Sequence, residues 1–401
     1  MKNLFKLTLI FCLWDISGYT QAKASFNKPE QYIIVNDVKP TREGFKEIVD
    51  VFGKANGNKT AIGVGFIISY FREKPGAAAA KLKQYLKLSG EFKLPVMIQI
   101  DGEQWWQARP DLWNWWDKTK PGYNPENKKN VEWTGWTPDL AVKIGWRNWG
   151  KQLRVLPMPN LMSSAYRKAC HIEMAKLIPI ITKWWQRLPP DRKYLLVGVK
   201  LGWESAIGVN NWYYPDGNDL LDKPEANDPN YSLLIDSLPD RGVKAIGYAA
   251  VSTLGLATNG QLKEENITEV VRLHLEDLCK LAAEKGIPRA LLFTHCGGWA
   301  KGETLYSAAL NKYSCPGWSF YQHAANPRND TTLIKNLELS DAPYWGAVEW
   351  LLEGNKTQEE WKAAIDSTLS VPKLRYVNIY NWGGIKNKPN SVAAIKAVLS
   401  H

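Results

Sequence analysis

Short apolar runs alternate with helix-like segments along most of the chain. The helix-like segments 163–188 and 262–285 carry apolar residues at helical spacing. Apolar strands that alternate with helices form parallel sheets. Eight apolar runs have this character: residues 32–36, 61–69, 94–101, 194–201, 243–250, 289–296, 344–350 and 374–381.

Eight strands in a chain of 401 residues predict an α/β fold, a closed (β/α)8 TIM barrel. An open doubly wound sheet is the alternative, although no Gly-rich dinucleotide-binding turn follows the first run. Two long insertions break the spacing, residues 102–161 after the third strand and 205–241 after the fourth. In a barrel both lie at the C-terminal face, where active sites are built. No linker divides the chain, so residues 25–401 are predicted to form a single catalytic domain.

The first 24 residues have the order of a secretory signal peptide. Lys2 and Lys6 precede the apolar run 7–14, and Ala22-Lys23-Ala24 offers small residues for cleavage. No later segment approaches the roughly 20 apolar residues of a membrane helix. A secreted or periplasmic protein without a membrane span is therefore expected. Export permits disulfides, and Cys296 with Cys315, which flank one loop, is the most plausible pair.

Tryptophan is abundant, with 20 residues, nine of them between Trp105 and Trp149. Indoles offer flat apolar surfaces for a ligand, and basic residues share this region. Guanidinium groups pair well with sulfate and carboxylate oxygens. Together with a net charge of +11, this predicts an anionic polysaccharide as the partner of a monomeric chain. No nucleic-acid-binding signature is present. The candidate contacts in this region are Trp105, Trp106, Arg109 and Arg147.

Two glutamates follow different predicted strands. Glu204 comes just past the fourth strand, and Glu349 lies at the end of the seventh. A lone glutamate at a strand end is more often an ion-pair or capping partner. Two carboxylates over one barrel mouth are what glycoside hydrolysis needs, since one protonates the leaving oxygen and the other attacks the sugar. Asp101 and Glu103, after the third strand, are rival acids or ligands of sugar hydroxyls.

Other polar side chains are expected at the same mouth. Lys200 shares strand parity with Glu204, so it is predicted to face the barrel interior. There it is expected to hold Glu204 or Asp101, and a purely structural ion pair is the equal alternative. His295 and His323 are candidates for orienting a carboxylate or contacting substrate. No metal-binding spacing appears, so neither a metal nor another cofactor is expected. A Schiff-base lyase or aldolase using Lys200, and a non-catalytic carbohydrate-binding barrel, are the alternatives to a hydrolase.

Glutamates after strands four and seven resemble the large clan of retaining (β/α)8 glycoside hydrolases that includes β-galactosidases, mannanases and cellulases. The resemblance implies that Glu204 is the acid/base and Glu349 the nucleophile. In the segment NIYNWGG, which contains Tyr380, Trp382 resembles the aromatic residue that lies under the sugar in this clan. Trp203 stands where the clan usually has Asn. Export, size and charge are similar to those of endo-acting hydrolases of sulfated fucans or galactans.

Overall fold

The computed structural model describes residues 28–54, 58–143, 145–148, 152–207, 211–212, 245–297 and 302–400. The predicted signal peptide, residues 1–24, and most of the predicted second insertion lie outside the described residues. Among those residues, no helix is both long and apolar enough to cross a membrane.

Eight parallel strands close into a barrel, which confirms the predicted fold class. The strands pair in chain order, and β1 pairs with β8 to complete the circle. They are β1 (Gln31–Val35), β2 (Thr60–Ser69), β3 (Val96–Asp101), β4 (Leu196–Ser205), β5 (Leu292–Cys296), β6 (Gly317–Phe320), β7 (Trp345–Trp350) and β8 (Leu374–Ile379).

Helices surround the barrel. The α-helices of the described residues are α1 (Arg42–Phe52), α2 (Ala77–Phe92), α3 (Pro110–Trp113), α4 (Ser164–Arg187), α5 (Tyr248–Leu254), α6 (Glu264–Glu284), α7 (Thr331–Leu339), α8 (Gln358–Leu369), α9 (Trp382–Ile385) and α10 (Pro389–Leu399). Short 3-10 helices span Pro125–Asn130, Pro138–Leu140, Pro190–Leu195, Arg289–Leu291, Gly302–Ala309 and Pro327–Asn329.

The barrel interior and the layer between barrel and helices are separate apolar cores. Alternating strand residues fill the interior, among them Tyr32, Ile34 and Tyr376. Their neighbours Ile33, Val35 and others face outward and pack against the helices. This two-sided burial explains why the strands appear in the sequence as continuous apolar runs.

One predicted strand is wrong and one strand was not predicted. In the run 243–250, Gly247 has φ 128° and directly precedes α5. The Tyr-Ala-Ala that follows it is the start of this helix and not part of a strand. The sixth barrel strand is β6, four residues that begin at the Gly of a Ser-Cys-Pro-Gly sequence typical of a turn. The predicted sixth run, 289–296, is therefore the fifth strand. Because the two errors offset each other, Glu349 still lies on the seventh strand.

The segment between β3 and α4 is mostly irregular. It contains α3, two 3-10 helices and the antiparallel strands Gly145–Asn148 and Gln152–Val155; Asn211–Trp212 pairs with the first of these. Glu132 anchors the segment, because its carboxylate accepts hydrogen bonds from the backbone N–H groups of Ala249 and Ala250 in α5. Burial raises the pKa of Glu132 to about 8.

The predicted Cys296–Cys315 disulfide is not formed. Phe293 of β5 bridges to Cys315, whereas Cys296 pairs with Trp318. The two cysteines are therefore three residues apart along neighbouring strands, roughly 10 Å at the usual rise per residue, which exceeds disulfide reach. Cys170, Cys279, Cys296 and Cys315 are all free and buried.

Candidate active site

Glu204 lies in an irregular end of β4. Between Leu201 and Ser205, which pair with Thr294 and Cys296 of β5, the strand carries two more residues than its partner. Gly202 and Glu204 take up this excess with φ values of 84° and 49°, in the left-handed region. A bulge of this kind re-aims side chains at a barrel rim. The strand continues to Ser205, four residues beyond its predicted end at Leu201, so Glu204 is its penultimate residue and does not follow it as predicted. Glu204 is only 5% exposed.

Glu349 lies at a second irregularity, near the end of β7. Ala347 pairs with Trp318 and Glu349 with the next residue, Ser319, so Val348 is the extra residue on β7. The carbonyl of Val348 accepts hydrogen bonds from Lys200 Nζ at 2.6 Å and from Asn378 Nδ2 at 2.7 Å. These two donors fix the backbone beside Glu349, which is 4% exposed.

Lys200 is fully buried inside the barrel, as its strand parity predicts. Its described hydrogen bond is to the Val348 carbonyl, not to the carboxylates of Glu204 or Asp101 that we expected it to hold. Burial lowers the pKa of Lys200 to about 8, and the charges of Glu349 and Glu204 oppose this decrease. The ammonium is therefore an electrostatic neighbour of both glutamates.

Tyr321 and His295 flank Glu349. The Tyr321 hydroxyl donates a short hydrogen bond to Glu349 Oε1. His295 Nε2 lies 3.9 Å from Glu349 Oε2 and 2.9 Å from Ser319 Oγ. Burial and the charge of Lys200 hold the pKa of His295 well below its usual range, so the ring is neutral. Burial also raises the pKa of Glu349, whereas Lys200 and Tyr321 lower it.

Three side chains are within the electrostatic influence of both glutamates. Besides Lys200, the hydroxyls of Tyr321 and Tyr380 have pKa values raised by burial first and then by the charges of Glu349 and Glu204. Tyr380 directly follows β8 and is partly exposed. The ends of β4, β6, β7 and β8 thus contribute to a single polar cluster at the C-terminal mouth of the barrel.

The acids after β3 are tied into the structure. Asp101 Oδ1 accepts a hydrogen bond from the backbone N–H of Glu103 at 2.9 Å. Glu103 Oε1 accepts one from Ser205 Oγ at 2.5 Å and lies 3.0 Å from His274 Nε2 on α6. Both carboxylates are almost fully buried. Glu103 therefore joins β3 and β4 to α6.

The aromatic and basic candidates after β3 divide into packing residues and rim residues. Trp106 is buried, and its indole N–H donates to the Pro157 carbonyl. Arg109 forms a two-pronged ion pair with Asp111. Trp105 is partly exposed, with the Arg72 guanidinium 5.4 Å from its ring centre. Trp105 is therefore the better candidate for stacking on a ligand.

The remaining candidates lie in different surroundings. Trp382 is 4% exposed, donates its indole N–H to Glu47 Oε2 at 3.0 Å and packs edge-on against Phe52 of α1, so its ring contacts a helix. Trp203, partly exposed, accepts a hydrogen bond on its carbonyl from Gln104. His323 is partly exposed in the turn after β6. The side chain of Arg147 lies outside the described residues.

Tyr321, which donates to Glu349, was not among the predicted site residues, because it follows the strand that was not predicted. The aromatic pair Phe320-Tyr321 at the end of a short apolar run was the available signal. In the part of the chain that the structure describes, no group of three His, Cys, Asp or Glu side chains is arranged to hold a metal ion.

Neither a protein-family model nor a curated protein matches the chain. Among solved structures, it is similar to a GH5_18 enzyme from Streptomyces cattleya, with TM-score 0.48, 11% identity, and 93% of this chain and 80% of that chain covered. It is also similar to the glycoside hydrolase domain of PgaB (BpsB) from Bordetella bronchiseptica, with TM-score 0.47, 10% identity, and 92% and 99% covered. GH26A from a Muricauda species has TM-score 0.42, 10% identity, and 92% and 90% covered. At these values the likeness assigns no residue a role.

Proposed function

We propose that the protein is a glycoside hydrolase that uses Glu204 and Glu349 as its pair of catalytic carboxylates. The observation that carries the proposal is that both carboxylates are buried at irregular C-terminal ends of barrel strands, Glu204 on β4 and Glu349 on β7. The charges of both also act on the same ammonium and the same two phenols. Two carboxyl groups that flank one bond are the requirement of glycoside hydrolysis.

The surroundings of Glu349 suit a nucleophile. Its carboxylate attacks the anomeric carbon as the glycosidic bond breaks, and Glu204 protonates the leaving oxygen. In the second step Glu204 takes a proton from water, the water oxygen bonds to the anomeric carbon, and the bond to Glu349 breaks. The nucleophile must be ionised, which burial opposes. The Lys200 charge and the Tyr321 hydroxyl favour the ionised form.

This assignment implies retention of the anomeric configuration, for which carboxyl groups lie roughly 5–5.5 Å apart. For the substrate, we propose an anionic and sulfated polysaccharide that is cleaved internally. The net charge of +11 and the contact between Arg72 and Trp105 at the rim support this proposal. The predicted signal peptide supports action outside the cytoplasm.

The experiment compares Glu204→Gln and Glu349→Gly with the wild type on aryl glycosides of graded leaving-group pKa and on neutral and sulfated polysaccharides. General acid catalysis is worth about 10²–10⁴-fold. Glu204→Gln should therefore lose that much kcat/KM with poor leaving groups and little with dinitrophenolate. Glu349→Gly should lose nearly all activity, and azide should restore it by forming a glycosyl azide of inverted configuration.

The matched control is Glu103→Gln, which changes a buried carboxylate bound to Ser205 and His274. It should reduce stability without changing how activity depends on the leaving group. Near-normal turnover by Glu204→Gln and Glu349→Gly would refute the assignment. Polysaccharide binding without product from the wild type would favour a carbohydrate-binding barrel.

A Schiff-base lyase is the second candidate, because Lys200 is buried and its pKa is lowered to about 8. Such an amine reacts with a carbonyl carbon once deprotonated, and water leaves as the imine forms. Borohydride with a panel of keto acids and ketoses tests this function by mass spectrometry. Covalent addition to Lys200 would support it, and an unmodified lysine would refute it.

A further inference from the structure

A cavity of about 590 Å³ opens at the N-terminal mouth of the barrel, opposite to Glu204 and Glu349. The starts of β1 and β8 and the segment from α8 to β8 line it. One lining acid, Glu30, lies 3.6 Å from Lys59, so the cavity keeps an excess of positive charge. The basic lining residues are Lys28, Lys59, Lys373 and Arg375.

A bulge directs Arg375 to this cavity. The pairing of β7 with β8 passes from Trp345–Leu374 to Gly346–Tyr376, which makes Arg375 the extra residue. Its guanidinium lies 4.8 Å from the ring centre of Tyr32 and 5.1 Å from that of Tyr344. These two rings hold the guanidinium in place at the cavity wall.

Arg375 is only 7% exposed, yet most of its hydrogen-bonding capacity is unused. One terminal nitrogen donates to the Glu30 carbonyl at 3.1 Å. The Nε atom is buried without a hydrogen-bond partner. Within the described ranges, no carboxylate lies within 4.0 Å of the guanidinium to form an ion pair. A buried cation without a counter-charge is costly, so a bound anion would stabilise this site.

The carbonyls at the C-terminal end of α8 also reach the cavity, and they disfavour an anion. Gln31 offsets this effect, because its side-chain amide donates to the carbonyls of Leu369 at 2.7 Å and Leu374 at 3.3 Å. The unused donors at the cavity wall are then those of Arg375 and the exposed lysines.

We propose that this cavity binds a sulfate or phosphate group through Arg375, with Lys59 and Lys373 adding electrostatic attraction. The planar guanidinium matches two oxygens of such a group. The cavity is larger than one oxyanion and accommodates the group that carries it. The site is separate from the C-terminal mouth and does not depend on the proposed catalytic activity.

Calorimetric titration of the full chain at constant ionic strength tests the proposal, with sodium sulfate, sodium phosphate and galactose 6-sulfate as probes. All three should bind, and tighter binding of the sulfated sugar would identify a carried group as the preferred ligand. Arg375→Met should weaken each affinity at least about tenfold, as expected for a lost charge-assisted pair. Lys183→Met, which removes an exposed charge on α4, is the matched control and should bind like the wild type.

Equal binding by Arg375→Met and the wild type would overturn the proposal. It would also be overturned if no probe binds at concentrations of about 10 mM, the range of weak specific contacts. If Arg375→Met does not fold, as judged by circular dichroism, the exposed double variant Lys59→Gln/Lys373→Gln decides. A severalfold loss of affinity in that variant supports the site, and an unchanged affinity refutes it.

Discussion

At the scale of single residues, the two glutamates differ in what surrounds them. Glu349 has a hydroxyl donor on Oε1 and a buried ammonium near it. Glu204 lies in left-handed backbone at a strand end. This difference predicts that removing the neighbours of Glu349 changes its ionisation and leaves the fold intact.

Tyr321→Phe should reduce kcat/KM by about 10–100-fold, since a hydrogen bond to a charged group is worth about 1.5–3 kcal/mol. The loss of the donor also raises the pKa of Glu349, so the acidic limb of the pH profile should move to higher pH. Pre-steady-state and steady-state rates on an aryl glycoside measure both effects. Tyr306→Phe, which removes a buried hydroxyl that donates to the Ser319 carbonyl, is the control and should leave the acidic limb in place.

Lys200→Met should move the same acidic limb in the same direction. The ammonium lowers the pKa of Glu349, so its removal leaves burial unopposed by that charge. Activity should fall most at low pH and recover in part as the pH rises. An acidic limb at the wild-type position in Lys200→Met would show that this charge does not act on Glu349.

Strand ends and parity alone predicted that Glu204 and Glu349 lie at one end of the barrel and that Lys200 faces its interior, because parallel strands bring their ends to one rim. The sequence did not identify Tyr321, because this residue follows a strand of only four residues that was itself not predicted. Nor could it show that the Trp382 indole bonds to Glu47 on α1, since that contact joins positions 335 residues apart.

At the scale of elements, the end of β4 depends on Gly202. A Cβ at this position would lie 2.3 Å from Ser205 Oγ and 2.9 Å from Leu275 Cδ2, and φ is 84°. Left-handed backbone costs an L-residue roughly 1–2 kcal/mol, and overpacking adds about 1–3. Gly202→Ala should therefore lower the free energy of unfolding by about 2–5 kcal/mol and reduce activity by displacing Glu204.

Gly255→Ala is the matched control for this element. Gly255 has φ 77°, but nothing lies within 4 Å of the position that a Cβ would take, so only the backbone cost of about 1–2 kcal/mol applies. Urea unfolding of both variants separates the two contributions. Equal losses of stability would show that the space around Gly202 is not limiting.

The sequence predictions were weakest for two elements, the predicted strand at 243–250 and the unpredicted strand β6. The run 243–250 has the apolar content of a strand, yet Gly247 and the alanines that follow favour the start of α5. Conversely, β6 is short and rich in Gly and Trp, and its strand conformation depends on pairing with β5 and β7. Tertiary pairing outweighs local propensity in β6.

At the scale of the whole molecule, the barrel class was predictable because the number of alternations is large. Two opposite errors left the count at eight, and any closed parallel barrel of this size places the strand ends together. The irregular segment between β3 and α4 was not predictable, since contacts that hold it, such as those of Glu132 with Ala249 and Ala250 and of Asn160 with Thr253, join it to α5, 93 to 118 positions further along the chain.

The buried carboxyl group of Glu132 makes the stability of the whole molecule depend on pH. The pKa of Glu132 is raised from its ordinary 4.5 to about 8 in the folded state. Its favourable contribution is complete below the unfolded-state pKa and is lost as the pH rises through about 8. The stability of the wild type relative to Glu132→Gln should therefore fall by on the order of 3 kcal/mol between pH 5 and pH 8.

Urea unfolding at several pH values measures this difference. Glu126→Gln, a change at an exposed carboxylate paired with Lys129, serves as the control and should give a profile parallel to the wild type. A Glu132→Gln profile that also runs parallel would contradict the role of this group.

The four buried thiols have a further consequence. They lie on α4, α6, β5 and the entry to β6, and burial raises the pKa of each, which suppresses the reactive thiolate. Alkylation therefore requires each element to open first. Timed labelling of the wild-type chain followed by peptide mass analysis would give four local opening rates. Together these rates would give the order in which these elements of the barrel unfold.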